Sequence, residues 1–170
     1  MNKNLTGSEL IIRSATLEDI PVIQNIVRET WPRAYTSILG EEQVNYMLQK
    51  FYSTSSLTDQ FKNNHYFFLA IKDNFPVGFA AFSNVYDDIY KLQKLYVLPS
   101  EQKTGAGKAL LLTVEKESKN MGAVKLQLNV NRKNNAKTFY EKNGFAVIRQ
   151  EDIDIEDGFF MNDFIMEKDL

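Results

Sequence analysis

The chain contains no cysteine in its 170 residues and only one histidine. The absence of cysteine excludes disulfide bonds, thiol catalysis and thiolate metal sites, and no other metal-binding pattern is present. No serine–histidine–acid signature surrounds His65, so a hydrolase triad is not expected. No apolar run approaches the roughly 20 residues that span a bilayer, and the first residues lack the apolar segment of a signal peptide. We therefore expect a cytoplasmic protein with no membrane partner.

An excess of positive charge is also missing. The formal net charge is −2, which argues against the basic surface of a nucleic-acid-binding protein. Linkers, internal repeats and low-complexity segments are absent as well. Hydrophobic residues make up 44% of the chain, enough for a sizeable core. These features predict a single domain over residues 1–170 with no nucleic-acid partner.

Hydrophobic periodicity predicts seven strands and five helices. The predicted strands cover residues 10–13, 66–71, 77–85, 89–97, 124–130, 145–155 and 159–167. The predicted helices are one that begins at Thr16 and ends at Pro32, followed by residues 41–51, 57–61, 104–119 and 134–142. Short connections between the middle strands favour antiparallel neighbours. This order predicts an α/β protein with a single mixed, mostly antiparallel central sheet flanked by helices.

A strand, a proline, a glycine-containing turn and a helix follow one another over residues 95–112. Gly105 and Gly107 lie where the turn becomes the helix, and the first backbone N–H groups of a helix have no partner within it. Glycine leaves these groups accessible to a ligand, and the helix dipole adds partial positive charge there. The pattern predicts a site for the phosphate or pyrophosphate of a nucleotide-like ligand.

Two common phosphate-binding motifs do not fit this loop. The dinucleotide fingerprint needs a third glycine where the chain has Leu110, and the P-loop needs Ser or Thr where it has Ala109. A third pattern, V-x-P-x-x-Q-x-x-G-x-G, is formed by residues 97–107. A second block, N-A-x-x-F-Y-x-x-x-G-F, covers residues 135–145. The two blocks, separated by a helix and a strand, resemble the acyl-CoA-binding segments of the GNAT superfamily of N-acyltransferases.

The resemblance implies an acyl-CoA N-acyltransferase fold, acetyl-CoA as cosubstrate without a metal, and Tyr140 as the catalytic general acid. In the family, the strand before the loop pairs with the pantetheine arm, and Asn135 matches a residue that binds the pantetheine or phosphate region. The residues implied to bind the coenzyme are Leu95, Tyr96, Val97, Gln102, Lys103, Thr104, Gly105, Ala106, Gly107, Lys108, Asn135 and Tyr140.

Several of these residues also have a purely structural interpretation. Residues 95–97 would otherwise form a plain buried strand, and Lys103 and Lys108 would lie on a solvated helix end. Asn135 suits a helix N-cap, and Tyr140 suits core packing. Many relatives carry a glutamate base on the strand that matches residues 91–93, whereas this chain has none there. Candidate replacements for that base are a water relay, Asp87, Asp88 and Tyr90, and a substrate amine that arrives already deprotonated would need no base.

The acceptor is expected to be the primary amine of a small molecule. The helical segment before residue 66 and the C-terminal residues are similar to bacterial GNAT members that acetylate polyamines. Trp31, Tyr35 and Phe51 are candidates for the wall of an acceptor pocket, with residues 161–163 on the last strand nearby. The five acids within residues 151–157 form either a negative rim for a cationic amine or a solvated hairpin tip.

The sequence leaves three alternatives open. In the first, the acceptor is a protein or peptide N-terminus rather than a small molecule. In the second, the chain is a CoA-binding regulator without catalytic activity. A homodimer is the alternative to a monomer.

Overall fold

The computed structural model describes residues 8–170. Its seven strands are β1 Leu10–Ser14, β2 Tyr66–Lys72, β3 Phe75–Tyr86, β4 Ile89–Val97, β5 Lys125–Asn131, β6 Ala146–Asp154 and β7 Phe160–Asp169. Its five α-helices are α1 Ile20–Leu39, α2 Glu41–Tyr52, α3 Thr54–Lys62, α4 Ala106–Asn120 and α5 Ala136–Lys142. Two 3-10 turns, Leu17–Asp19 and Pro99–Glu101, precede α1 and the loop before α4.

All seven strands form one sheet in the order β1-β2-β3-β4-β5-β7-β6. Every neighbouring pair is antiparallel except β4 and β5, which run parallel. The parallel pair requires a crossover, and α4 supplies it on one face of the sheet. The predicted α/β class with a mixed, mostly antiparallel sheet is therefore confirmed.

Helices cover both faces of the sheet and create two separate hydrophobic cores. Neighbouring strand residues alternate between them, so Phe79 and Phe82 of β3 belong to opposite cores. The core on the α4 face includes Leu110, Leu111, Val114, Leu126, Leu128 and Met166. The core beneath α1, α2 and α3 includes Ile23, Val27, Trp31, Val44, Leu57 and Leu69.

Helix α1 does not end at Pro32, as predicted, but continues for seven residues to Leu39. A proline inside a helix removes one backbone hydrogen bond and costs about 3 kcal/mol. The residues around it outweigh this cost because Trp31 is buried in the core and Tyr35, one turn later, packs against it. The prediction was wrong because local propensity was overridden by tertiary packing.

Helix α3 also departs from the prediction, which placed its start at Leu57. Ser53 is the N-cap, and its Oγ accepts a hydrogen bond from the backbone N–H of Ser56 at 3.3 Å. The serine-rich stretch that suggested a turn is therefore the capped first turn of the helix. Within residues 8–170, no helix is both long and apolar enough to cross a membrane.

Candidate functional site

Strands β4 and β5 separate halfway along their length. They pair from Ile89 opposite Lys125 only as far as Leu92 opposite Leu128, although both strands continue beyond these residues. On its other side, β4 stays paired with β3 as far as Val97. A V-shaped gap therefore opens in the middle of the sheet, and the β4 edge that faces it has no strand partner within residues 8–170.

The backbone groups that face this gap belong to alternate residues of β4. Leu98 donates its backbone N–H to the Val77 carbonyl at 2.8 Å, which directs the backbone of Tyr96 toward β3 as well. Strand alternation then directs the backbone groups of Leu95 and Val97 into the gap. Leu95, Tyr96 and Val97 were all predicted to lie on this edge. The backbone groups of Tyr96 point toward β3 rather than into the gap, and only its side chain, on one face of the sheet, is near the site.

The loop before α4 carries a run of unpaired backbone donors. The N–H groups of residues 102–108 find no acceptor in the described part of the chain, and the first bond back to the loop is from Ala109 to Gly105 at 3.0 Å. Lys103 and Gly105 have positive φ values of 66° and 94°, a backbone geometry found in concave anion-binding turns. Unpaired donors of this kind fit a diphosphate, which accepts hydrogen bonds without needing a metal.

Gly107 packs closely against β4 and α5. A Cβ at this position would lie 3.7 Å from Val97 Cγ2, 3.8 Å from Phe139 Cζ and 3.9 Å from Leu95 Cδ2. These are ordinary van der Waals distances, so a methyl group would fit there. A longer or charged side chain would press against these apolar groups beside the donor loop.

Helix α5 brings Asn135 and Tyr140 to the other side of the gap. Asn135 is the N-cap residue, but its side chain makes no capping bond; Asn134 accepts the bond from the Ala136 N–H instead. The Tyr140 ring packs at right angles to Phe139 and Phe145. Its hydroxyl has no hydrogen-bond partner within residues 8–170, yet it is not among the fully enclosed polar atoms.

A cavity of about 180 Å³ lies on the opposite face, beneath α1 and α2. It contains the aromatic residues expected around an acceptor, Trp31, Tyr35 and Phe51, together with Met161 and Asp163 from β7. Its complete wall consists of Trp31, Tyr35, Leu39, Met47, Phe51, Tyr52, Lys91, Leu92, Gln93, Lys94, Tyr96, Asn129, Asn131, Met161 and Asp163.

Tyrosine hydroxyls line the inner part of this cavity. The hydroxyls of Tyr35 and Tyr96 lie 3.3 Å apart, and Asn134 donates to the Tyr35 hydroxyl at 3.4 Å. Burial raises the pKa values of Tyr35, Tyr96 and Tyr140 above the ordinary tyrosine value. These phenols therefore keep their protons at neutral pH.

A β-bulge determines which β4 side chains enter the cavity. Ala81 lies opposite Lys94 and Phe82 opposite Leu92, so Gln93 is an extra residue in β4. The bulge places Lys91 and Lys94, three residues apart, on the same face of the sheet. Gln93 lies at the bulge itself and donates to the Ser83 hydroxyl at 3.1 Å.

Asp163 supplies the single carboxylate among the described residues that line the cavity. It is only 5% exposed, and Asn129 donates to its Oδ2 at 3.2 Å. Burial raises the pKa of Asp163 above its ordinary value, while the Asn129 hydrogen bond opposes the rise. A carboxylate in this environment can bind an ammonium group or accept a proton.

The replacement bases considered from the sequence lie elsewhere. Asp87 and Asp88 form the exposed turn before β4, five residues or about 17 Å along the strand from the bulge. Tyr90 packs against the core on the α4 face and donates to the Met121 carbonyl at 3.3 Å. None of the three lines the cavity.

The acidic segment 151–157 is largely paired rather than free. Asp152 forms an ion pair with Arg132, and Glu156 forms one with Lys50. Asp154 accepts a hydrogen bond from the Glu156 backbone N–H at 2.8 Å. The segment lies at the β6–β7 hairpin and its carboxylates do not line the cavity, which favours the hairpin-tip interpretation over a negative rim.

Lys94 and Asn129 were not singled out by the sequence. Strict alternation along residues 90–97 places Lys91 and Lys94 on opposite faces, and no sequence signal marks the bulge.

Within residues 8–170 there is no group of three or more side chains arranged to hold a metal ion.

The sequence and fold were compared with protein families, curated proteins and solved structures, and all three comparisons find acetyltransferases. Residues 36–168 match the family model described as an acetyltransferase (GNAT) domain. A spermidine N(1)-acetyltransferase from Thermoplasma acidophilum is 33% identical over 92% of this chain and 95% of its own length.

Solved structures show the same relationship. A PaiA N-acetyltransferase from Thermoplasma acidophilum in complex with coenzyme A superposes with a TM-score of 0.80 at 32% identity, covering 95% of this chain and 99% of that one. A GCN5-related N-acetyltransferase from Rhodopseudomonas palustris superposes with a TM-score of 0.82 at 22% identity, covering 98% and 99% of the two chains. The second match concerns the fold alone.

Proposed function

The chain belongs to the GNAT acetyltransferase family and is an acetyl-CoA-dependent N-acetyltransferase, and from that premise we propose that it acetylates a small primary amine directly. One sheet carries the gap, the donor loop and the cavity, so we propose that residues 1–170 act as a single catalytic domain. The observation that carries the proposal is the run of unpaired N–H groups at residues 102–108, next to a gap that leads to a cavity.

The chain's own groups fit each part of the cosubstrate. The N–H groups of residues 102–108 would hold the diphosphate, with Lys103 and Lys108 exposed beside it. The free backbone edge at Leu95 and Val97 would pair with the amides of the pantetheine arm. Asn135, whose side chain has no capping role, is available to bind the same arm.

Acetyl transfer by this route needs no covalent enzyme intermediate. The neutral amine nitrogen attacks the thioester carbonyl carbon, the new C–N bond forms and the C–S bond breaks. The nitrogen must then lose a proton, and the leaving thiolate must gain one. The sulfur takes a proton from the Tyr140 hydroxyl, which has no competing partner. The chain has no cysteine to carry an acetyl group, and this supports direct attack within a ternary complex.

Asp163 is our candidate for the group that receives the amine's proton. It faces the cavity from β7, and burial favours its neutral, protonated form relative to an exposed carboxylate. A carboxylate with a raised pKa is better matched to accept a proton from an amine near neutral pH. Asp163 would thereby replace the strand glutamate that many relatives carry.

Helix α2 closes the cavity against the β6–β7 hairpin. The Tyr46 hydroxyl donates to the Ile155 carbonyl at 2.6 Å, and Gln43 Nε2 donates to the Phe160 carbonyl at 2.7 Å. A peptide substrate needs a groove that is open at both ends, whereas this side is bridged. The closure supports a small-molecule acceptor over a protein N-terminus, and the unpartnered Tyr140 hydroxyl supports an enzyme over a CoA-binding regulator.

The proposal is tested by measuring thiol release from acetyl-CoA with a panel of acceptors. The panel contains spermidine, which the Thermoplasma relative is named for, together with amino acids, monoamines and a peptide with a free N-terminus. We expect release with at least one small amine, a product one acetyl group heavier by mass spectrometry, and intersecting double-reciprocal plots. Parallel plots would contradict direct attack, and acetylation of the peptide alone would contradict the small acceptor. Light scattering on the same sample distinguishes a monomer from a homodimer.

A further inference from the structure

Lys94 projects into the cavity without an acidic partner. Its Nζ lies 5.3 Å from the centroid of the Tyr52 ring, and no carboxylate lies within 4.0 Å of it in the part of the chain that the structure describes. All nine ion pairs found there involve other side chains. A lysine in such an environment is seldom left unpaired.

The surroundings of Lys94 disfavour its charge. Burial, together with a smaller effect of the neighbouring Lys91, lowers the pKa of Lys94 to about 8. His65, whose pKa is also lowered by burial, lies near enough to feel the Lys94 charge. A nearby anion would reverse this penalty, because a paired charge is far less costly to bury than an isolated one.

The cavity wall also carries an opposite charge that is not paired with Lys94. Asp163 projects from β7, outside ion-pair distance of any lysine or arginine side chain in the described residues, and Lys91 and Arg132 act on it only at longer range. Lys94 and Asp163 therefore do not neutralise each other. The cavity wall therefore holds a lysine beside Tyr52 and a separate carboxylate beside Asn129.

A polycation finds little to bind in this arrangement. The cavity wall carries two lysines and one aspartate. Three of the acids on the hairpin are already paired, Glu151 with Arg149, Asp152 with Arg132 and Glu156 with Lys50. A second ammonium group on the acceptor would have to lie near Lys94, where like charges repel.

We propose that the acceptor carries an anionic group, such as a carboxylate, in addition to its primary amine, and that Lys94 binds that group while the amine faces Asp163. The proposal rests on the acetyltransferase function above and specifies its substrate class. A cavity of about 180 Å³ is below the roughly 300–1,000 Å³ of pockets for drug-sized ligands, which suits a molecule of amino-acid size.

Three acceptors of matched length test this charge preference: 4-aminobutyrate, 1,4-diaminobutane and 1-aminobutane. They share a four-carbon chain and differ at one end, which bears a carboxylate, an ammonium or no charge. We expect kcat/KM to be at least about 10-fold higher for the aminocarboxylate than for either amine, the size expected for one charge-assisted hydrogen bond. Several α-amino acids are measured in parallel, in case the two groups must lie closer together.

Substitutions of Lys94 then assign the preference to one side chain. Lys94→Met should raise KM for the anionic acceptor about 10-fold or more and leave kcat and the kinetics of 1-aminobutane nearly unchanged. Lys94→Glu should reverse the preference in favour of 1,4-diaminobutane. Melting temperatures and CoA affinities of both variants identify any loss of folding, and the wild-type acceptor series remains decisive if a variant does not fold.

The outcomes separate this proposal from the one on which it rests. No thiol release with any acceptor overturns both. Release that is fastest with 1,4-diaminobutane or spermidine overturns the anionic acceptor and leaves the acetyltransferase function standing. A fall in kcat for all three amines in Lys94→Met, with their ranking kept, would assign Lys94 to proton transfer instead and overturn its role as an anion-binding residue.

Discussion

Replacing Tyr140 with phenylalanine removes one oxygen atom and should separate catalysis from stability. The Tyr140 hydroxyl makes no hydrogen bond within residues 8–170, so its loss leaves no protein group unpaired. The ring would keep its contacts with Phe139 and Phe145, at centroid distances of 5.2 and 5.9 Å. We expect the free energy of unfolding to change by less than about 0.5 kcal/mol, a shift in Tm below about 2 °C.

The effect on turnover should be much larger. A positioned general acid contributes roughly 10²–10⁴-fold to a rate, which is about 2.7–5.4 kcal/mol of transition-state stabilisation. We expect kcat of Tyr140→Phe to be lower than that of the wild type by a factor in that range. The Kd for CoA, measured by calorimetry, should stay within about threefold of the wild-type value. Because burial raises the Tyr140 pKa, the wild-type phenol keeps its proton, and kcat should not fall between pH 7 and about 9.5 through its ionisation.

The matched control is Tyr86→Phe, which makes the same chemical change on an exposed ring at the end of β3. This control should retain wild-type turnover. A Tyr140→Phe enzyme with kcat within twofold of wild type would refute the acid role. A loss of kcat that is accompanied by a large fall in Tm would show that the reasoning from the unpartnered hydroxyl is wrong.

Three further predictions follow from the loop, the cavity and the start of α1. Gly107→Glu should weaken CoA binding at least about 100-fold in calorimetry, because it adds a negative charge and bulk beside the diphosphate. Lys116→Gln, which makes the same one-unit change of net charge on the exposed side of α4, should leave CoA affinity unchanged. Equal affinities of the two variants would contradict the phosphate site. Asp163→Asn should lower kcat/KM for the amine at least about 10-fold without changing KM for acetyl-CoA, and an unchanged value would exclude Asp163 as proton acceptor. Asp19→Asn should destabilise the protein by about 1–3 kcal/mol at pH 7, because Asp19 accepts hydrogen bonds from Arg13 at 2.8 and 2.9 Å. The Arg13 bonds lower the Asp19 pKa, so this contribution is present above about pH 4 and is lost as pH falls through the lowered pKa; urea unfolding at pH 3 and 7 should show the two proteins converging in acid.

The structure of the loop that we propose for the coenzyme was predictable because its information is local. A glycine turn between a strand and a helix requires particular residues at fixed spacing, and the structure places Gly105 and Gly107 at the start of α4 as predicted. The strands were predictable for a similar reason, since residues 124–130 alternate strictly between apolar and polar side chains. Both features depend on the backbone within a few residues.

The acceptor half was harder to predict because its features depend on distant parts of the chain. Lys94 faces the cavity only because of the bulge at Gln93, which no neighbouring residue signals. The acids of the β6–β7 hairpin looked free because their partners are far away in sequence: Lys50 is more than 100 residues from Glu156. Pro32 lies within α1 for the same reason, since the packing of Trp31 and Tyr35 outweighs a local rule.

The separation of β4 from β5 has a consequence for the lifetime of the protein. Within residues 8–170, only four strand-paired residues of β4, from Ile89 to Leu92, join the four-stranded half of the sheet to the three-stranded half. A cosubstrate lying in the gap would bridge both halves, so acetyl-CoA at 100 times its Kd would stabilise the native state by about 2.7 kcal/mol. Added CoA should slow amide exchange in both strands and delay protease digestion, which would tie the survival of the enzyme to the supply of its own acetyl donor.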